Sequence, residues 1–309
     1  MKVLICDKTE ASALDVIRAA GIEVDNRPTI TPEELLRDAG QYDGMVVRSR
    51  TRITKEVIDA GSNLKILVRG GVGLDNIEVK YAEGKGIAVR NTPKASADSV
   101  AELTIGYLIS LARKIAQGTM SMTAGEWKKK ELEGSEIGGK TLGLIGFGNI
   151  GQAVGRRAAA LGMNVLFWRR SPVEVPYAKQ VPLDDILTRS DYISLHVPKT
   201  ADTANLLNRE AFAKMKQGVY VVNCGRGGTL DEEALCEALT SGKVAGAALD
   251  VFADEKVNPG NAKLFALKDK NGFNLVIGSP HVGASTVEGQ GRVGAEVADI
   301  LISFYKQNF

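Results

Sequence analysis

Leu142-Gly143-Leu144-Ile145-Gly146-Phe147-Gly148-Asn149-Ile150-Gly151 is the stretch on which the fold of this chain turns. An apolar, strand-like run leads straight into glycines at the first, third and sixth places of a hexapeptide, and a helical pattern follows. A strand, a tight glycine turn and a helix in that order form the turn of a βαβ unit that binds a dinucleotide. Gly146 permits the turn, Gly148 lets a pyrophosphate approach the backbone, and Gly151 lets the helix pack close to the sheet. The helix N-terminus adds N–H donors and a favourable dipole for the anion.

Working outward, the alternation continues on both sides. Downstream, strand-like runs at Val165–Phe167, Tyr192–Val197, Tyr220–Val222, Ala245–Leu249 and Leu275–Ile277 are separated by helical segments near Leu183–Thr188, Glu210–Met215 and Glu232–Thr240. With Leu142–Ile145 they predict six strands. Upstream, Lys2–Cys6, Ile22–Asp25, Met45–Val47, Leu64–Val68 and Ile87–Val89 predict five more, with helices at Glu10–Ala20, Pro32–Ala39, Thr54–Ala60 and Ile77–Gly84. Two such series predict an α/β chain of two doubly wound parallel sheets, a flavodoxin-like domain and a Rossmann domain. Thr31-Pro32-Glu33-Glu34 reads as a capped helix start. Ser99 to Met122 predicts one long helix, Ala124 to Gly139 a polar connection, and Val287 to Tyr305 a helix returning to the first domain. The expected boundaries are 1–98 with 287–309 for one domain and 99–286 for the other.

Bulk properties narrow the function. The chain has 309 residues, 44% hydrophobic and 25% charged, an ordinary globular profile of about two domain lengths. A net charge of +2, with no basic run longer than Lys128-Lys129-Lys130, predicts no nucleic-acid partner. The first apolar run, Val3–Cys6, is cut by Asp7, and no stretch approaches the ~18 apolar residues of a spanning helix. The expectation is a cytoplasmic protein without a membrane partner. Cys6, Cys224 and Cys236 are odd in number and lack ligand spacing, which predicts reduced thiols and no metal site. The cluster Arg48, Arg50, Arg52 and Arg69 reads either as a small-anion site or as exposed strand-end charge.

Two further places carry chemistry. About twenty residues after the glycine turn, an NAD-binding chain usually has an acid for the ribose 2′-hydroxyl. Here stand Phe167-Trp168-Arg169-Arg170-Ser171-Pro172, with no acid before Glu174. Arg169, Arg170 and Ser171 suit a 2′-phosphate, which predicts NADP(H) over NAD(H); the alternative is that NAD is bound and both arginines project into solvent. The chain has two histidines, His196 and His281. A hydride-transferring enzyme acting on an alcohol needs a proton carrier near neutral pH. His281, in Gly278-Ser279-Pro280-His281-Val282-Gly283-Ala284 past the last strand, is the favoured one; His196, before Pro198, is placed to line a cofactor cleft.

Arg226, in Asn223-Cys224-Gly225-Arg226-Gly227-Gly228, and Glu255, in Asp250-Val251-Phe252-Ala253-Asp254-Glu255, complete a pattern with His281. Together with the glycine turn, Arg48-Ser49-Arg50-Thr51, Arg69-Gly70-Gly71-Val72-Gly73-Leu74-Asp75-Asn76-Ile77, Asn91-Thr92-Pro93 and Val100-Ala101-Glu102-Leu103-Thr104, it resembles the D-2-hydroxyacid dehydrogenase family across essentially the whole chain. Within it, the phosphoglycerate dehydrogenase branch in its short form, without a C-terminal regulatory domain, is the most similar. The resemblance implies a catalytic trio. Arg226 would hold the substrate carboxylate and keto oxygen, Glu255 would favour the imidazolium of His281, and His281 would shuttle the proton. It further implies a substrate loop at Gly71, Val72 and Gly73, a phosphate site from Arg48, Arg50 and Arg69, and cofactor contacts at Asn149, Ile150, His196, Pro198, Thr203, Cys224, Asp250 and Gly283. The family's Glu-Pro reads here Glu255-Lys256, followed by a longer segment to Asn274, which leaves Asp254 as the alternative acid. The expected substrate is 3-phosphoglycerate or its ketoacid, in serine synthesis. The alternatives are a glyoxylate/hydroxypyruvate reductase and, in another class, a cofactor sensor that binds partner proteins. The resemblance also implies a homodimer and an active site in the cleft between the domains.

Overall fold

Residues 1–255 and 259–309 are described by the structure, a computed structural model. They divide into two units, Met1–Ala97 with Ala284–Phe309, and Asp98–Gly283. The first unit runs β1 (Lys2–Ile5), α1 (Ala11–Ala19), β2 (Glu23–Asn26), α2 (Pro32–Asp38), β3 (Gly44–Val47), α3 (Lys55–Ala60), β4 (Ile66–Arg69), α4 (Val79–Gly84) and β5 (Ala88–Asn91). The second runs α5 (Ala97–Arg113), α6 (Ile115–Thr123), β6 (Thr141–Ile145), α7 (Asn149–Ala160), β7 (Asn164–Trp168), β8 (Lys179–Gln180), α8 (Leu183–Arg189), β9 (Tyr192–Leu195), α9 (Arg209–Lys214), β10 (Val219–Asn223), α10 (Glu232–Thr240), β11 (Val244–Leu249), α11 (Pro259–Ala266) and β12 (Val276–Gly278). The closing helix α12 (Val287–Asn308) belongs to the first unit.

In the first unit five parallel strands lie in the order β2-β1-β3-β4-β5. β1, β3 and β4 are runs of apolar residues because helices cover both faces of a parallel sheet. Alternation divides them: Leu4, Met45 and Leu67 pack with Leu35, Ile53 and Ile58 on one face, whereas Val3, Ile5, Val46 and Val68 pack with Leu14, Ile17, Val293, Val297 and Leu301 on the other. Val293, Val297 and Leu301 recur every four residues along α12, so one stripe of that helix seals the sheet. The cap read at Thr31 is present: Thr31 Oγ1 accepts from Glu34 N–H at 3.2 Å and Glu34 Oε2 accepts from Thr31 N–H at 3.0 Å.

In the second unit seven parallel strands lie in the order β12-β11-β10-β9-β6-β7-β8. The order reverses between β6 and β9, where open α/β sheets bind their ligands beyond the carboxyl ends of the strands. Two expectations need correction. The sheet has a seventh strand, β8, whose two residues are too short for any periodicity. The single helix expected over Ser99–Met122 is two, because Lys114 adopts a left-handed φ of 51° between α5 and α6. A segment distant in sequence ends α5: Ser135 N–H donates to Ala112 O at 2.9 Å and Lys114 Nζ donates to Glu131 O at 3.0 Å. The first of these contacts takes Ala112 O, a carbonyl that a continuous helix would have used, and the second ties the Lys114 side chain to the docked segment. No helix of the described residues is long and apolar enough to cross a membrane.

Candidate active site

The glycine turn sits at the end of β6, as read. Gly146 has φ 98°, and a Cβ there would lie 2.6 Å from His196 O, so only glycine fits. A Cβ on Gly151 would lie 2.3 Å from Gly146 O, which locks the start of α7 onto the turn. Above Gly148 the situation reverses: a Cβ there would meet nothing within 4 Å. Gly148 is also the N-cap of α7 and has no side chain to cap it. Open space over an uncapped helix N-terminus, with Asn149 and Ile150 in its first turn, fits a pyrophosphate.

A cavity of about 230 Å³ continues from this turn, lined by Gly146, Gly148, Trp168, Arg169, Arg170, Ser171, His196, Pro198 and Thr203 among others. Here most of the predicted cofactor residues meet. Arg169 Nη1 makes a long bond of 3.4 Å to Phe147 O, and Arg170 Nη1 lies 3.9 Å from Asp202 Oδ2 with both side chains mostly exposed. Such contacts hold guanidinium groups weakly. Thr203 is buried and braces the rim of the cavity, accepting from Thr200 N–H at 2.8 Å and donating to Pro198 O at 2.6 Å. His196 Nε2 lies 2.9 Å from Ser194 Oγ, and its buried Nδ1 has no hydrogen-bond partner. Burial pushes the imidazole down to about 4, so the ring is neutral at physiological pH and poorly matched to proton transfer. Cys224 is buried at the end of β10, and desolvation pushes its thiol up to about 12. It is an inert neutral group.

The predicted catalytic residues stand on loops that leave three adjacent strands, β10, β11 and β12. Arg226 follows β10, in a loop tied by Asn223 Nδ2 donating to Arg226 O at 3.1 Å and by Thr229 Oγ1 donating to the same oxygen at 2.7 Å. Gly227 brings this loop against the next, since a Cβ there would lie 1.6 Å from Phe252 O. Glu255 stands in that second loop, and its Oε2 lies 2.9 Å from His281 Nδ1. Glu255 is therefore the acid paired with the imidazole, in place of the alternative Asp254; Lys256, where the sequence departs from the family pattern, and the two residues after it lie outside the described residues.

His281 adopts a left-handed φ of 53°, uncommon for a residue with a side chain. A network that sequence reading missed holds it there. His281 N–H donates to Asp250 O at 2.8 Å, and the buried Asp250 carboxylate accepts from Val282 N–H and Gly283 N–H, each at 2.8 Å. Asp250 Oδ1 also accepts from Ser279 Oγ, which is bonded to Tyr107 OH on α5. Asp250 and Gly283, expected as cofactor contacts, thus shape the histidine loop. No periodicity or motif announces Tyr107, which lies 172 residues from its partner Ser279.

In the first unit, a cavity of about 740 Å³ lies at the ends of β1 and β3, lined by Asp7, Lys8, Glu10, Arg48, Ser49, Arg50, Thr286 and Gln290 among others. Asp7 pins the 48–51 loop: its carboxylate accepts from Arg48 N–H at 2.5 Å and from Thr51 Oγ1 at 2.8 Å. Arg50, expected at a phosphate site, lines this cavity but also holds the loop. It pairs with Asp7 at 3.0 Å and donates to Cys6 O, Pro28 O and Ile30 O. That makes it a strut of the loop. Arg48 Nη1 donates to Gln290 Oε1 on α12, and burial lowers the basicity of its guanidinium. Arg69 Nη2 donates to Ser49 Oγ at 3.2 Å. The Gly71 backbone, at φ 148°, passes so close to Arg69 that a Cβ would overlap its guanidinium, while Val72 O accepts from Asn91 Nδ2 at 2.6 Å. Gly73 follows in the same loop.

A switch-point glycine turn, a cavity for a nucleotide and a histidine–carboxylate pair beyond the same sheet edge define a nicotinamide-dependent dehydrogenase. Comparison with known proteins agrees. Residues 105–283 match the family model described as D-isomer specific 2-hydroxyacid dehydrogenase, NAD binding domain, and the chain belongs to that family. It is 50% identical over 269 residues to a hydroxypyruvate reductase of Thermotoga maritima, covering 86% of each chain. It is 43% identical over 310 residues to a D-3-phosphoglycerate dehydrogenase of Archaeoglobus fulgidus, covering 99% of this chain but 58% of that one. Among solved structures, a glyoxylate reductase from Paecilomyes thermophila superposes with a TM-score of 0.87 at 32% identity, over 98% of this chain and 94% of that one.

Proposed function

We propose that this protein interconverts a small 2-hydroxy acid and its 2-keto acid, with His281 as the acid/base. The observation that carries the reading is the 2.9 Å hydrogen bond between His281 Nδ1 and Glu255, on loops beyond the nucleotide-binding sheet. A bound nicotinamide supplies or accepts the hydride. Glu255 holds the proton on His281 Nδ1 and thereby fixes the ring, so that Nε2 is the atom that gives a proton to the keto oxygen in reduction or takes it in oxidation. Arg226, on the neighbouring loop, is the group for the substrate carboxylate, for which a guanidinium offers bidentate bonds. A cofactor sensor without catalysis would have no use for the paired histidine and carboxylate.

The finer reading is NADP(H) as coenzyme and 3-phosphohydroxypyruvate as ketoacid. Arg169, Arg170 and Ser171 around the cavity, with no acid among them, support the coenzyme. Arg48, with Lys8 beside it in the first unit's cavity, supports the phosphate, because a partly buried guanidinium gains most from an anion. The rival, an unphosphorylated hydroxypyruvate or glyoxylate, draws on the engagement of Arg50 and on the names of two similar proteins. Initial rates of reduction with all three ketoacids, each with NADPH and NADH, decide between them. The phosphorylated ketoacid is expected to lead by at least about tenfold in kcat/KM, roughly 1.4 kcal/mol of transition-state preference. NADPH is expected to lead NADH, with Arg169→Asp reversing the order. A lead for glyoxylate or hydroxypyruvate overturns the phosphate reading, and equal use of both coenzymes overturns the other.

We infer as well that the protein is a homodimer. Ile115, Met120, Met122 and Trp127 are exposed apolar side chains within a short stretch of the second unit, Trp127 at 82%, and such patches mark contact surfaces. Sedimentation equilibrium is expected to give twice the 33.0 kDa chain mass, and Trp127→Glu with Met122→Glu to shift it to the monomer. A monomer for the unaltered protein removes the inference.

A further inference from the structure

Gln180 occupies the shortest strand of the larger sheet, and its side chain does something its position in β8 does not require. The main chain of β8 pairs with β7 at the sheet edge, Gln180 beside Phe167. From there the side chain reaches over the turn that leaves β7. Oε1 accepts from Val173 N–H at 2.9 Å, and Nε2 donates to Arg169 O at 3.1 Å and to Ser171 O at 3.4 Å. One end of the amide meets a donor and the other two acceptors, so its orientation is determined by its partners. A single side chain thus ties three backbone groups of the 169–173 turn.

This turn carries Arg169, Arg170 and Ser171 into the nucleotide cavity, and the two guanidinium groups have only weak contacts of their own. What aims them is therefore the path of the backbone. We propose that Gln180 is a positioning residue for coenzyme choice: by clamping the turn it presents Arg169, Arg170 and Ser171 as a preorganised site for the 2′-phosphate of the adenosine ribose. A site held before binding avoids the ordering cost that a loose turn would impose on the ligand. The inference rests on the NADP(H) reading above.

The test compares the unaltered protein with Gln180→Leu, which removes all three bonds at similar volume, and Gln180→Glu, which keeps an acceptor for Val173 N–H but sets an oxygen against two carbonyls. Titration calorimetry reads the dissociation constants of 2′,5′-ADP and 5′-AMP, two nucleotides without nicotinamide. The unaltered protein is expected to bind 2′,5′-ADP at least about tenfold more tightly than 5′-AMP. Both variants are expected to lose most of that preference, about tenfold, while 5′-AMP binding changes by less than about twofold. An unchanged preference in both variants overturns the positioning role and leaves the coenzyme reading standing. Equal weakening of both nucleotides shows a merely structural glutamine and also overturns it. No preference in the unaltered protein overturns the coenzyme reading, and this inference with it.

Discussion

His281→Asn is expected to lower kcat for ketoacid reduction by about 10²–10⁴, the usual contribution of a positioned acid/base, while the dissociation constant for NADPH stays within about twofold. Asparagine is the informative replacement because it tolerates the left-handed backbone that His281 adopts, so loss of activity cannot be blamed on a distorted loop. It cannot give a proton at neutral pH. The other histidine offers no substitute, since burial holds His196 neutral, with a pKa of about 4. Stopped-flow reduction under saturating coenzyme reads the chemical step, and protein fluorescence reads coenzyme binding. Activity within tenfold of the unaltered enzyme would remove His281 from the mechanism and return the question to which group carries the proton.

Gly148→Val is expected to weaken coenzyme binding by at least about a hundredfold without unfolding the protein. The argument is steric. A Cβ at Gly148 meets no protein atom within 4 Å, and the residue's φ of −83° suits any side chain, so the folded chain accepts the valine. The space it fills is the approach to the N-terminus of α7, where N–H groups and the helix dipole would meet a pyrophosphate. Gly146→Ala makes the contrast. It also reduces binding, but through the fold, because its Cβ would press on His196 O from a φ of 98°. Thermal denaturation separates the two: an unchanged midpoint for Gly148→Val, a lowered one for Gly146→Ala. Tight NADPH binding by Gly148→Val would show that no ligand passes over this glycine.

Much of this was readable because its causes are local. Strands such as Met45–Val47 and Tyr220–Val222 declare themselves by apolar runs, and helices such as Pro32–Ala39 by their caps. The glycine turn is legible because backbone conformation and close approach restrict three positions to one residue type. Of the two histidines, both at strand ends, His281 stood out by its loop and its family-like neighbours. Other features depend on partners far along the sequence. Lys114 breaks a helix because residues 131–135 dock on the end of α5, and nothing between Ser99 and Met122 foretells it. Gln180 looks like a surface residue until its amide is seen to bridge the turn beyond β7.

The sequence by itself determined the two series of alternating strands and helices and the glycine turn, because side-chain periodicity and steric necessity act within a few residues. Only the tertiary structure decided what each polar group spends its hydrogen bonds on. Arg48 and Arg50 look alike in the sequence and line the same cavity, yet Arg50 is tied to Asp7 and three carbonyls, whereas Arg48 reaches across to Gln290 on α12. Asp250, expected as a cofactor contact, is seen to hold the histidine loop. A buried donor or acceptor must be satisfied by whatever the fold brings within about 3 Å, and that partner is chosen by the packing of distant segments.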